Sequence, residues 1–226
     1  MEYVIQLFAS FLAVMFVITI HEFAHAFIAY KCGDPTAKYE GRMTLNPVKH
    51  FDLMGILFFA FAGFGWAKPV PVNPYNFKNY RWGSFFTAIA GIAINYICAF
   101  LFYPLFLLAV QYLMPLFAGK YMEVFIYCLP RYLYGYSITF CIFNLLPFYP
   151  LDGFRMWDAL DKKNGKVLQF LRIYGSYILM GLIAVNFFSQ YVPLLGYVNL
   201  LGIVMDYAGK LLEWPITHFW QWIFTL

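Results

Sequence analysis

Residues 3–30 form a continuous apolar stretch, broken only by Gln6, Ser10, Thr19 and a cluster at His21-Glu22-Phe23-Ala24-His25. A helix of this length crosses the roughly 30 Å hydrocarbon layer of a bilayer. In lipid every backbone polar group must find its partner within the protein, which limits the spanning structures to helices and closed barrels. The remainder of the chain is of the same kind. Of its 226 residues 63% are hydrophobic and 12% charged, against about 25% charged in an ordinary soluble domain. The chain therefore reads as an all-α polytopic membrane protein, a single integral domain over 1–226.

Further apolar segments at 83–117, 121–147, 169–189 and about 192–212 complete five expected crossings. The first of these is kinked towards its end by Pro104 and Pro115. Residues 53–66 are apolar but shorter than the about 20 residues a crossing needs, and they contain Gly55, Gly63 and Gly65. They read as a re-entrant segment. The polar stretch 31–51 is a loop with a short β-hairpin expected around Lys38–Leu45. Residues 67–82 carry Pro69, Pro71 and Pro74 and read as an extended strip, able either to pair with an extended peptide or simply to connect its neighbours. The tail from Glu213, with Trp214, Trp220 and Trp222 around His218, suits a membrane interface.

Net charge is +4, and its placement is informative. With the amino terminus outside and 53–66 not crossing, the basic loops 31–51, 67–82 and 148–168 all face the cytoplasm, as the positive-inside rule requires. The same clustering is a topology signal and not a nucleic-acid patch; no nucleic-acid partner is expected. Cys32, Cys98, Cys128 and Cys141 show no paired spacing and read as free thiols. Glu2 precedes the first apolar stretch where a signal peptide would be basic, so that stretch is expected to be a retained helix.

The chemistry centres on 21–25. Residues four apart share a helix face, so His21 and His25 can bind one Zn²⁺ together. Glu22, beside that face, can take a proton from a water that the metal polarises. Ionisable groups at membrane depth are costly and mark function. A catalytic zinc takes three protein ligands. The candidate acids include Asp34, Glu40, Asp52, Asp152 and Asp158, with His50 and His218 the other histidines. Asp152 follows a crossing between helix breakers Pro147, Pro150 and Gly153. It could close the site or cap the helix that begins near Phe154. Asn144 could support that turn or pair helices.

Five stretches carry a more specific signal: HEFAH at 21–25, GRMTLNPVKHFDLMG at 41–55, GWAKPVPVNPYNFKN at 65–79, AGIAIN at 90–95 and NLLPFYPLDGFR at 144–155. In that order they resemble the site-2 protease family of intramembrane zinc metalloproteases, in its compact prokaryotic form without an inserted soluble domain. The resemblance implies zinc ligation by His21, His25 and Asp152, Glu22 as catalytic base, and Asn95 near the site as a substrate-binding or oxyanion-holding amide. It implies a catalytic core over about 1–160, accessory helices over about 165–226, and a multi-pass protein of the cell membrane. Its substrates would be membrane proteins with a transmembrane segment, cut near the cytoplasmic side, and a regulatory membrane partner could control their entry. Ile92 stands where the family often has proline, and Tyr149 where it often has asparagine; neither is a ligand position. The rival reading is a non-proteolytic transporter or metal-binding protein using the same His/Glu/Asp cluster, for which inverted repeats would be the mark.

Overall fold

A computed structural model of the protein describes residues 1–62, 67–117 and 119–224. The first apolar stretch is one helix, α1 (Glu2–Cys32). A single turn, α2 (Thr36–Tyr39), and the ten-residue α3 (Leu53–Ala62) follow. The long α4 (Tyr80–Leu108) passes through a π-turn at Ala109–Leu113 and a 3-10 turn at Met114–Leu116. Then come α5 (Lys120–Leu145), α6 (Asp152–Leu160), α7 (Lys166–Phe188), the turn α8 (Pro193–Gly196) and α9 (Leu200–Phe224). Three of these are long and apolar enough to cross a membrane: Glu2–Cys32, Tyr80–Leu116 and Lys166–Phe188.

The centre of the fold is the mutual packing of α1, α4 and α5, with α6 laid against α4 and α9 against α5 and α4. Lipid gives helices no hydrophobic reason to associate, so close contact relies on small side chains. The buried positions here are of that type: Ala9, Ala13, Ala26 and Ala29 on α1, Ala88, Cys98 and Ala99 on α4, Ser137 and Cys141 on α5. Polar groups reinforce the seams. Ser10 bonds Tyr136 across α1 and α5, and Trp220 of α9 donates to the Phe100 carbonyl of α4 at 2.8 Å.

Several boundaries differ from the expectations. The hairpin around Lys38–Leu45 does not form. The amides of Arg42 and Met43 both turn back to the Ala37 carbonyl, at 2.8 and 3.2 Å, closing a local turn that leaves no strand to pair. The extended pairing is made instead between 50–51 and 67–68. Lys68 N–H donates to the His50 carbonyl at 2.9 Å, Phe51 bridges Ala67, and buried Arg42 donates to the Lys68 carbonyl at 2.6 Å. Within the expected re-entrant segment, 53–62 is the helix α3, about 15 Å long at 1.5 Å per residue, and 63–66 lie outside the described residues. The strip 67–73 is extended, but α4 begins at Tyr80, earlier than expected, because Asn79 Oδ1 accepts the Trp82 amide at 3.1 Å as an N-cap. The Trp-rich tail is the second half of α9, which continues through Pro215.

The strip is anchored by Asp34. This fully buried carboxylate accepts from Asn73 N–H at 2.7 Å, Asn76 Nδ2 at 2.9 Å, Thr36 N–H at 3.1 Å and the Thr36 hydroxyl. Lys78 N–H adds a bond to the Cys32 carbonyl at 3.0 Å. The end of α1 and the end of the strip are thus fastened together. Burial pushes the Asp34 carboxyl up, but these donors outweigh it and hold the group below its ordinary value.

Asp34→Asn is expected to destabilise the protein by about 1–3 kcal/mol, because donors are left facing a group that cannot accept them all. The depressed folded value means that the carboxylate's contribution is whole above the unfolded pKa of about 4 and is lost as pH falls through the folded value. The difference in thermal midpoint between wild type and variant in detergent should be constant from about pH 5 to 8 and shrink below about pH 4.

Candidate metal centre

His21 and His25 lie on the buried face of α1, one turn apart, both under a tenth exposed. Asp152 is the first residue of α6. Its approach depends on the turn from α5. A Cβ at Gly153 would stand 2.3 Å from the Leu145 carbonyl oxygen, so only glycine lets α6 start this close to the end of α5. The acid then reaches α1. Asp152 Oδ2 is 3.2 Å from His21 Nε2 and 3.0 Å from His25 Nε2, and the two Nε2 atoms are 2.9 Å apart.

Three lone-pair atoms thus face one point, and Asp152 Oδ2 is buried without a hydrogen-bond partner. The arrangement fits a zinc ion. Bonds of about 2.0–2.2 Å in a tetrahedron set ligand atoms about 3.3 Å apart, within a few tenths of an ångström of the edges seen here. Among the described residues this trio forms a group that could hold a metal.

The far sides of both rings rest on α4. His25 Nδ1 lies 2.7 Å from the Thr87 carbonyl oxygen, and His21 Nδ1 lies 3.0 Å from the amide of Asn95. Gly91 falls midway. A Cβ there would stand 2.5 Å from both His21 Cε1 and His25 Nε2, so the rings occupy the space a side chain would fill.

A cavity of about 110 Å³ opens on the cluster, with His21, Glu22, His25, Val70, Asp152 and Arg155 on its wall. Glu22 Oε2 accepts the Val70 N–H at 2.8 Å, so the strip runs directly beside the carboxylate. Arg155 Nη1 stands 3.9 Å from Asp152 Oδ1. Asn144 also faces the cavity and donates to the Phe140 carbonyl at 3.1 Å. Asn95 is fully buried behind His21.

The other acids have different work. Asp34 fastens the strip, Asp52 Oδ1 accepts the Met54 and Gly55 amides at the start of α3, Asp158 pairs with Arg172, and Glu40 is exposed. His50 is buried with Nε2 donating to the Thr44 carbonyl at 2.8 Å, which holds its own loop. Exposed His218 leans on Trp214. Thr87, Gly91, Val70 and Arg155 were not singled out from sequence. The spacing of Thr87, Gly91 and Asn95, four residues apart on one helix, is the signal that could have linked the first two to Asn95.

The chain belongs to peptidase family M50, the family of the site-2 proteases, whose model matches residues 9–185. It is 41% identical over 148 residues to the protein named "Putative zinc metalloprotease YwhC" of Bacillus subtilis (strain 168), a match covering 63% of this chain and 64% of that protein. The match thus spans a little under two thirds of the relative's length. No solved structure matches the chain.

Gly91→Ala should weaken zinc binding by about tenfold or more, since the added methyl must displace one of the rings. Competition with a chromophoric chelator would measure this, and an unchanged thermal midpoint would separate it from misfolding.

Proposed function

We propose that this protein is an intramembrane zinc metalloprotease that hydrolyses peptide bonds of membrane-spanning proteins near the cytoplasmic side of the cell membrane. The observation that carries the reading is the convergence of His21 Nε2, His25 Nε2 and Asp152 Oδ2 within 3.2 Å of one another, beside a cavity that Glu22 also lines. A zinc ion held there supplies a Lewis acid for the scissile carbonyl and lowers the pKa of a water towards about 7.

The chain's own residues supply the rest. Glu22 takes the proton of the attacking water and returns it to the leaving amine. Its Oε2 is already held by Val70 N–H, which leaves Oε1 for the proton. A helical substrate hides its peptide bonds in its own hydrogen bonds and must unwind to be cut. The extended strip around Pro69–Val72 offers the unwound segment a backbone edge beside Glu22, in the manner of an added strand. Arg155 places a positive charge at the cavity wall, next to Asp152.

The topology that suits this chemistry has α5 and α9 crossing with α1, α4 and α7, five crossings in a multi-pass protein, while α3 enters without passing through. The basic loops 31–51, 67–82 and 148–168 then face the cytoplasm. That puts Asp152, at the inner end of α5, level with His25 near the inner end of α1. Substrate enters from the lipid, and a membrane partner could control that entry.

Glu22→Gln should keep zinc affinity within about threefold while lowering the cleavage rate of a single-span substrate by about 10²–10⁴-fold. Removing zinc with a chelator should abolish cleavage by the wild type, and zinc should restore it. Equal cleavage by Glu22→Gln and wild type would remove Glu22 as the base, and a wild type that binds no zinc would remove the reading itself.

A further inference from the structure

Both ligand rings turn Nε2 to the same point. A neutral imidazole that gives its Nε2 lone pair to a cation carries its proton on Nδ1. For His25 the consequence is met at once, because the Thr87 carbonyl 2.7 Å away can only accept. His21 has the side chain of Asn95 in the corresponding place, 3.0 Å from Nδ1. With the amide nitrogen facing the ring, one N–H would oppose another, and Asn95 Oδ1 is buried with no partner. Exchanging the amide's oxygen and nitrogen leaves the side chain's shape unchanged. It puts the acceptor in front of the N–H and ends the opposition.

We infer that Asn95 is a positioning residue whose side-chain oxygen accepts the Nδ1–H of His21 and so fixes the tautomer and direction of that ring for a zinc ion. The inference rests on the metalloprotease reading and gives Asn95 a different task from the substrate contact that the family resemblance implies. Its location supports the change. The side chain is fully buried, and the cavity wall includes His21 but not Asn95. One face of α4 thereby serves both ligands: the Thr87 carbonyl holds His25, Asn95 holds His21, and Gly91 between them leaves the room. Metal-binding histidines generally donate their second N–H in this way, and loss of the acceptor weakens metal binding by about 10–100-fold.

The test compares Asn95→Leu, which has no acceptor, with Asn95→Asp, which keeps an acceptor but loses both N–H groups. Full-length protein in detergent is stripped of metal and titrated with Zn²⁺ against a chromophoric chelator, and the visible spectrum of the Co²⁺-loaded form is recorded. Asn95→Leu is expected to bind Zn²⁺ about 10–100-fold more weakly with an altered Co²⁺ spectrum, and Asn95→Asp to stay within about threefold of wild type or bind more tightly. Asn95→Leu binding like wild type would overturn the inference, as would Asn95→Asp binding as weakly as Asn95→Leu. Both results presuppose zinc binding by the wild type, whose absence would instead remove the metalloprotease reading.

Discussion

A carboxylate held at 4% exposure against two imidazoles is the interaction on which the rest of this structure depends. Removing such a charge from water costs several kcal/mol unless something of opposite sign repays it. The helices α1 and α6 are brought together at this point, although their contributions lie far apart in the chain. A cation shared by His21, His25 and Asp152 satisfies all three groups at once, and the turn at Gly153 exists to deliver the third.

The scaffold answers that demand mainly through smallness. Alanine and glycine along α1 and α4 let the two backbones approach, and Gly91 goes further by leaving a hollow for the ligand rings. Helix α4 adds no ligand of its own. It backs both histidines, with a main-chain carbonyl for one and an amide side chain for the other. The neighbouring helix thus orients both imidazoles from within the protein.

The legible part of the site was local. His21, Glu22 and His25 could be read because a helix turn fixes their relation within five residues. The apolar stretches gave the helical character and the main boundaries for the same reason. Asp152 could not be chosen over capping by spacing alone, because its meeting with α1 is a tertiary event; the family resemblance singled it out. Asn95 was placed near the site, but a name in a motif does not say which face of a ring it will touch. The hairpin at 38–45 failed where polar residues suggested a turn but the amides of Arg42 and Met43 found a nearer acceptor in Ala37. Asp34, weighed as a ligand, proved to be a fastener, since two of its four donors come from Asn73 and Asn76, far from it in sequence.

Helix α1 carries His21, Glu22 and His25, and at its far end Cys32 and Asp34 grip the strip, which Glu22 also grips at Val70. The strip is therefore pinned at two points to the element that carries the residues proposed as metal ligands and base. One rigid rod sets the spacing between them. A chain laid along the strip would be measured against that rod, so which of its bonds comes under attack would be decided by register, much as a jig decides where a blade falls.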